Sequence, residues 1–172
     1  MNIELRISQT LYQSIHADLS RKHSFTAERV GFIACASGSL SDGGLLLLAE
    51  SYLPVADDNY VDDPSVGATM NSTAIRVALQ TAYNQPISMF HVHRHEHRGL
   101  PRFSGIDLRE SQRFVPDFFK VQPHRGHGVI VLSHDSAAGL CWTPGVKDPI
   151  AINKVVVVGR PTITIRRAHD QY

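Results

Sequence analysis

The stretch Phe90–Glu110 reads FHVHRHEHRGLPRFSGIDLRE, and four of the chain's ten histidines fall in it, at positions 91, 93, 95 and 97. On an extended strand, residues i and i+2 point to the same side, so His91 and His93 can present two imidazoles to one point. Two neutral imidazoles and one carboxylate form a common zinc set. Asp107 can supply the carboxylate from the first turn of a helix that the intervening loop brings back. Plainer readings exist for the same residues. Alternate histidines also occur on a solvated strand edge, or as a chelating tract without fixed geometry. Ser104-Gly105-Ile106-Asp107 also scans as a helix capping box, which accounts for Ser104 and Asp107 without any metal. For Asp107 alone the capping and ligand readings are equally good.

The elements that must hold these groups follow from periodicity. Ile3, Leu5 and Ile7 alternate with polar residues as a short strand, and Ser8 can cap a helix carrying Leu11, Ile15 and Leu19 on one face. Ala27 to Ser37 reads as a buried strand, and Ser39–Gly44 as a turn that returns the chain through a second strand, Leu45 to Val55. Asp57 to Ser65 is acidic and irregular, which suits a surface loop. Asn71 or Ser72 caps a helix with Ile75, Ala78, Leu79 and Ala82 at helical spacing, and Pro86 ends it. Ile87 to His93 is the histidine strand. Ser104 opens a third helix, which Pro116 is expected to interrupt. Val129–Ser133 and Gly139–Thr143 pair around His134-Asp135-Ser136, and the tail from Lys154 to Arg167 is extended. Strands and helices mix without a strict βαβ repeat, so the fold class is α/β (α+β), a mixed sheet flanked by helices.

Composition narrows the function classes. The 172 residues carry 17 basic and 16 acidic side chains, a net charge of +1, and no Lys/Arg block of the kind that binds nucleic acid. Apolar runs such as Leu45–Ala49 and Val155–Val158 are too short to cross a bilayer, and Met1-Asn2-Ile3-Glu4 does not open like a signal peptide. Two cysteines, Cys35 and Cys141, build no disulfide framework. The expectation is a cytoplasmic protein with free thiols that binds neither membrane nor nucleic acid.

Taken together, Phe90-His91-Val92-His93 and Ser104-x-x-Asp107 resemble the motif of the JAMM (JAB/MPN) metallopeptidase family: a glutamate, then His-x-His, then Ser-x-x-Asp. The family's glutamate lies upstream beside the first strand, where this chain has Glu28 followed by Val30-Gly31-Phe32-Ile33-Ala34. Glu50, inside the second strand, is the other candidate, and there a charged residue can simply face water. The resemblance runs over roughly residues 9 to 143. It implies a JAB/MPN (cytidine-deaminase-like) domain over 1–143, with 144–172 as an extension that adds a strand to the same domain. The family usually leaves seven residues between the second His and the Ser. Here ten separate His93 from Ser104 and eight separate His95 from it. Spacing therefore favours His93 and His95, while the aromatic Phe90 and the buried Val92 favour His91 and His93. We adopt His91, His93 and Asp107 as the expected ligands, with His95 and His97 in an enlarged loop.

The resemblance implies one Zn2+ per chain, Glu28 as the group that moves protons, and Ser104 as a hydrogen-bond donor to the developing oxyanion. It further implies cleavage of peptide or isopeptide bonds after the C-terminal tail of a ubiquitin-like protein, for precursor maturation or deconjugation. The setting would be a bacterial conjugation system, antiphage systems included, with E1/E2-like enzymes as partners. His-x-His-x-His followed by Gly99-Leu100-Pro101 looks more like the compact bacterial forms than the eukaryotic ones. Two alternatives belong to the same resemblance: a non-catalytic MPN-type scaffold and a JAB-fold hydrolase with a DNA-repair role. In the extension, Val155–Val158 with Arg160, Arg166 and Arg167 reads as a strand closing the sheet or as a basic partner-binding edge.

Overall fold

A computed structural model describes residues 1–24, 26–63 and 67–166. In chain order they form β1 (Ile3–Ser8), α1 (Gln9–Leu19), β2 (Val30–Ser39), β3 (Leu45–Pro54), β4 (Tyr60–Val61), β5 (Thr69–Met70), α2 (Ser72–Asn84) and β6 (Ser88–Arg94). There follow α3 (Gly105–Val121), β7 (His127–Leu132), β8 (Ala137–Trp142), β9 (Ile150–Ala151), β10 (Lys154–Val158) and β11 (Ile163–Arg166). Nine strands make one mixed sheet in the order β11-β10-β1-β3-β2-β6-β7-β8-β9, and β4 pairs with β5 in a separate two-stranded ribbon. The class is mixed α/β, as composition and pattern indicate. β10 runs parallel to β1, with β11 antiparallel on its outer side, so the described part of the extension continues the sheet. Arg167 lies outside the described residues. No helix among the described residues is long and apolar enough to cross a membrane.

Because strand side chains alternate, the sheet divides the apolar residues into two cores. Ile33, Cys35, Phe90, Val92, Ile130 and Leu132 point to the side covered by α1, where Ile15 and Leu19 pack on them. Val30, Phe32, Ala34, Met89 and Val129 point to the other side, against Ala74, Ala78 and Ala82 of α2 and Phe114, Val115 and Phe118 of α3. Both histidine-strand neighbours follow from this parity: His91 and His93 stand with Met89 on the α2/α3 side.

The helix starts read from sequence coincide with caps. Ser8 Oγ accepts the Leu11 N–H, and Asn71 Oδ1 accepts those of Thr73 and Ala74. The expectation that Pro116 interrupts the third helix is corrected, since α3 runs from Gly105 to Val121 with Pro116 inside it. A proline within a helix costs about 3 kcal/mol. Here it stands on an exposed position, as does Gln112, whose carbonyl loses its donor to the ring and can turn to water. On the opposite side Phe114, Val115 and Phe118 are buried, each worth roughly 1.5–3 kcal/mol, so packing outweighs the break.

The start of β6 is held by a buried histidine of β7. His127 Nδ1 accepts the Met89 N–H at 3.0 Å, which leaves Nε2–H to donate to the Gln122 carbonyl at 3.1 Å. The ring also stacks on Phe118. Burial pushes its pKa down to about 4. The unfolded ring takes up its proton near pH 6.5 and the folded ring only near 4, so the unfolded state binds more protons between these values. In metal-free protein, the free energy of unfolding should therefore fall as pH drops from about 6.5 to about 4. His127→Leu should make that fall shallower. At pH 7 it should cost about 1–3 kcal/mol, for the backbone groups of Met89 and Gln122 left unpaired. Urea titrations of wild type and variant across this pH range provide the check.

Candidate metal centre

The site lies at the C-terminal end of β6, where three elements meet. β2 is antiparallel to β6 with Val30 opposite His93. Two residues before Val30, just ahead of β2, stands Glu28; two residues on from His93, just past β6, stands His95. The antiparallel pairing thus brings both to the same end of the two strands. Glu28, His93 and His95 each offer a ligand atom within 4.8 Å of the others, close enough to hold one metal ion. The Nε2 atoms of His93 and His95 are 3.2 Å apart.

Asp107 completes the group from the N-terminus of α3. Its backbone N–H donates to Ser104 Oγ at 3.1 Å, and its Oδ2 accepts the Ser104 N–H at 2.6 Å. This is the reciprocal capping box that the sequence suggests. The capping role does not use up the carboxylate, for Oδ1 lies 3.5 Å from His93 Nε2 and Oδ2 lies 4.0 Å from His95 Nε2. Capping and approach to the imidazoles are therefore one geometry, in which the cap aims the carboxylate at them. Ser104 Oγ, having accepted from Asp107, keeps its own proton to donate and lines the same cavity.

The structure does not bring His91 into the group within 4.8 Å. It lies one alternation deeper, with its ring 5.9 Å from that of His93 and packed against Phe32 and Phe114. Of the two pairs that the spacing left open, the one that converges with Glu28 and Asp107 is His93/His95. The expected pair His91/His93 took Arg94 as the sign that the strand had reached solvent. In fact Arg94 is buried on the α1 side, donating to Ser20 Oγ at 2.6 Å and to Glu96. The strand alternation continues past it, and the His95 N–H extends the ladder by donating to the Leu132 carbonyl. The enlarged loop that follows is fastened to the β7–β8 turn. His97 C=O accepts the His134 N–H, and Gly99, at φ 84°, donates to Asp135 Oδ1 and accepts from Ser133 Oγ. His97 itself is exposed. Glu50 sits unpaired at the bulge between β2 and β3, exposed to water.

A residue beyond the expected Asp57–Ser65 loop, Gly67, clamps Glu28. The Gly67 carbonyl accepts the Glu28 N–H at 3.0 Å and also the Thr26 hydroxyl. A Cβ at Gly67 would stand 2.8 Å from Glu28 Oε2 and 2.9 Å from its carboxyl carbon. Glycine is what lets the backbone come this close. The clamp is anchored by buried Arg29, which donates to Asp57 Oδ1 at 2.8 Å and to the carbonyls of Arg21 and Lys22. Tyr60 adds a bond from its hydroxyl to the Val30 backbone. Burial lifts the Glu28 carboxyl above its ordinary pKa against the pull of His95, and Asp107 and Glu96 push it the same way as burial. Burial pushes His93 down to about 4 despite Asp107, and His91 down to about 3. Both imidazoles are therefore neutral at pH 7, and for His93 that is the form in which histidine binds metal.

These groups line a cavity of about 500 Å3 together with Phe103, Phe114 and Val129. The donor set is two imidazoles and two carboxylates, which suits zinc or a similar transition ion. With zinc supplied to the untagged protein, His95→Ala and Asp107→Ala should each bring metal content well below one per chain. His91→Phe should retain it. Elemental analysis after dialysis reads this directly, and the reverse pattern would restore His91 as a ligand.

No family model matches this chain, and no curated protein matches it.

Proposed function

We propose that the chain is a zinc-dependent hydrolase of peptide or isopeptide bonds, of the JAMM (JAB/MPN) kind, acting at the C-terminal tail of a ubiquitin-like protein. One observation carries the reading. Glu28, His93, His95, Ser104 and Asp107 come from three separate parts of the chain and line one cavity. They do so in the order Glu, His-x-His, Ser-x-x-Asp, with His93 and His95 as the pair.

His93, His95 and Asp107 would hold the zinc. A zinc held by three protein groups supplies Lewis acidity, bringing the pKa of water towards ~7 and polarising a carbonyl. Glu28 is the proton carrier in this reading. Its raised pKa suits a group that must first accept a proton from the attacking water and then release it to the departing amine. The Gly67 clamp holds its carboxylate in place and keeps bulk water off one side. Ser104 donates its hydroxyl proton to the carbonyl oxygen as negative charge grows there. The cap bond to the Asp107 N–H fixes where that hydroxyl stands.

The cavity is flanked by Thr69 of β5, and an extended, glycine-ended tail can lie beside it as an added strand. Partners of the E1/E2 type and a cytoplasmic conjugation system, antiphage systems included, belong to the same proposal.

The test uses untagged, zinc-loaded protein and linear fusions of ubiquitin-like proteins with a C-terminal extension. Wild type should release the extension. Glu28→Gln should keep its zinc and its fold while losing about 10²–10⁴-fold in kcat. Ser104→Ala should lose roughly 3–4 kcal/mol of transition-state stabilisation if it serves the oxyanion, against about 1 kcal/mol of stability if it serves only as a cap. A Glu28→Gln variant that turns over normally, or a wild type that cleaves none of the fusions, would overturn the reading.

A further inference from the structure

His93 and His95 face each other at the site, yet the fold holds them by different means. His93 lies inside β6, paired with Val30 of β2 on one side and Val131 of β7 on the other, and it is buried. His95 stands beyond the end of β6. Its N–H still reaches the Leu132 carbonyl at 2.9 Å, but the register with β2 stops at Val30, so its backbone is bonded to one neighbouring strand only. Its side chain is 21% exposed. A histidine that binds metal is normally oriented through its second ring nitrogen, bonded to a carboxylate, a carbonyl or water. Among the described residues the ring of His95 has a hydrogen-bond partner at Nε2 alone, and that partner is His93. The ring lies between those of His93 and His97, and His97 is itself exposed. Where the imidazole of His95 points therefore depends on where the backbone of residues 94–96 is fixed.

The residues on either side of His95 supply that fixing. Arg94 points to the α1 side, and its Nη2 donates to Glu96 Oε1, closing a bridge from one flank of His95 to the other. Both ends of the bridge are anchored to elements distant in sequence. Arg94 Nη1 donates at 2.6 Å to Oγ of Ser20, the residue that caps the C-terminus of α1. Glu96 Oε2 lies 3.4 Å from His134 Nε2 in the β7–β8 turn, and the His134 N–H donates to the His97 carbonyl at 2.9 Å. The guanidinium of Arg94 is buried, and Glu96 is the carboxylate paired with it, so breaking the bridge would leave an enclosed charge uncompensated. A guanidinium also fixes direction, because its donors form a rigid planar fork. We propose that the Arg94–Glu96 bridge is a positioning device for the metal centre, setting where His95 stands. Ser20 and His134 act through it. The inference rests on reading His93, His95 and Asp107 as a zinc site with Glu28 beside it.

The measurement is the zinc affinity of the untagged, full-length protein, by competition with a chromophoric chelator, with circular dichroism of each variant as the check on folding. Glu96 is exposed, which makes it the place to break the bridge. Glu96→Ala should weaken zinc binding about tenfold, the scale on which groups that orient metal ligands act. Glu96→Gln, whose amide oxygen can still accept from Arg94, should stay within about threefold of wild type. In a His95→Ala background, Glu96→Ala should change the remaining affinity by less than about twofold, since the bridge then has no imidazole to position. A Glu96→Gln variant as weak as Glu96→Ala would assign the effect to charge. An equal loss with and without His95 would assign it to the domain as a whole. Either result overturns the proposal, as does a Glu96→Ala variant that binds zinc as tightly as wild type. If His95→Ala binds too weakly to titrate, the comparison of Ala with Gln at position 96 decides. If Glu96→Ala does not fold, Ser20→Ala decides from the other anchor, with at least about threefold weaker zinc expected and unchanged affinity overturning the proposal. A wild type that takes up no zinc removes the metal reading itself. A wild type that binds zinc, matched by the variants at 96, leaves that reading standing and removes only the bridge.

Discussion

The antiparallel pairing of β2 with β6, with Val30 opposite His93, is the constraint on which the site depends. A shift of one residue would turn His93 and His95 to the α1 side or Glu28 away from them, because side-chain direction has a period of two. The register is held by what both strands bury. Phe32 and Met89 must meet α2 and α3 on one side, while Ile33 and Phe90 must meet α1 on the other. Strands buried on both sides leave no freedom to slip, so the apolar cores position three polar groups that contribute nothing to them. His127 adds a fixed point at the start of β6, by bonding the backbone of Met89 through a side chain from the neighbouring strand.

The carboxylates reach the imidazoles by two different devices. Asp107 arrives on the first turn of a helix, where one of its oxygens satisfies a backbone N–H that the helix leaves free. That bond sets the carboxylate plane and leaves Oδ1 towards His93. Glu28 precedes its strand and has no regular structure of its own to hold it. Its backbone is tied to Gly67, and its neighbour Arg29 is tied through a buried guanidinium to Asp57. The first device is local in sequence and rigid. The second joins residues about 40 positions apart and depends on a glycine, since any side chain at 67 would displace the carboxylate.

Burial assigns the histidines their states. His91 and His93 are neutral because a charged imidazole would be desolvated there, and neutral imidazoles are what a cation requires. Glu28 is shifted in the opposite direction by the same desolvation. One partly apolar cavity thus prepares a neutral nitrogen donor at His93 and a carboxyl with raised proton affinity at Glu28, without a separate device for each.

Local pattern settles much of this protein. Alternation in Ile3–Ile7 and in the histidine stretch, helical spacing in Leu11–Leu19 and Ile75–Ala82, and the caps at Ser8, Asn71 and Ser104 involve groups within four residues of each other, and a sequence displays these directly. The common side of His91, His93 and His95, and the capping geometry of Ser104 with Asp107, follow from the same local rules. Tertiary structure alone decided how far along that side the other groups arrive. That distance brings His93 and His95, rather than His91, within reach of Glu28, and it gives one aspartate both a cap bond and a place beside the imidazoles. It also places Arg94 in the α1 core and carries α3 through Pro116. Each of these depends on an element distant in sequence packing at a particular height on the sheet. Side-chain direction along a strand is local, but depth in the fold is set by everything packed around it.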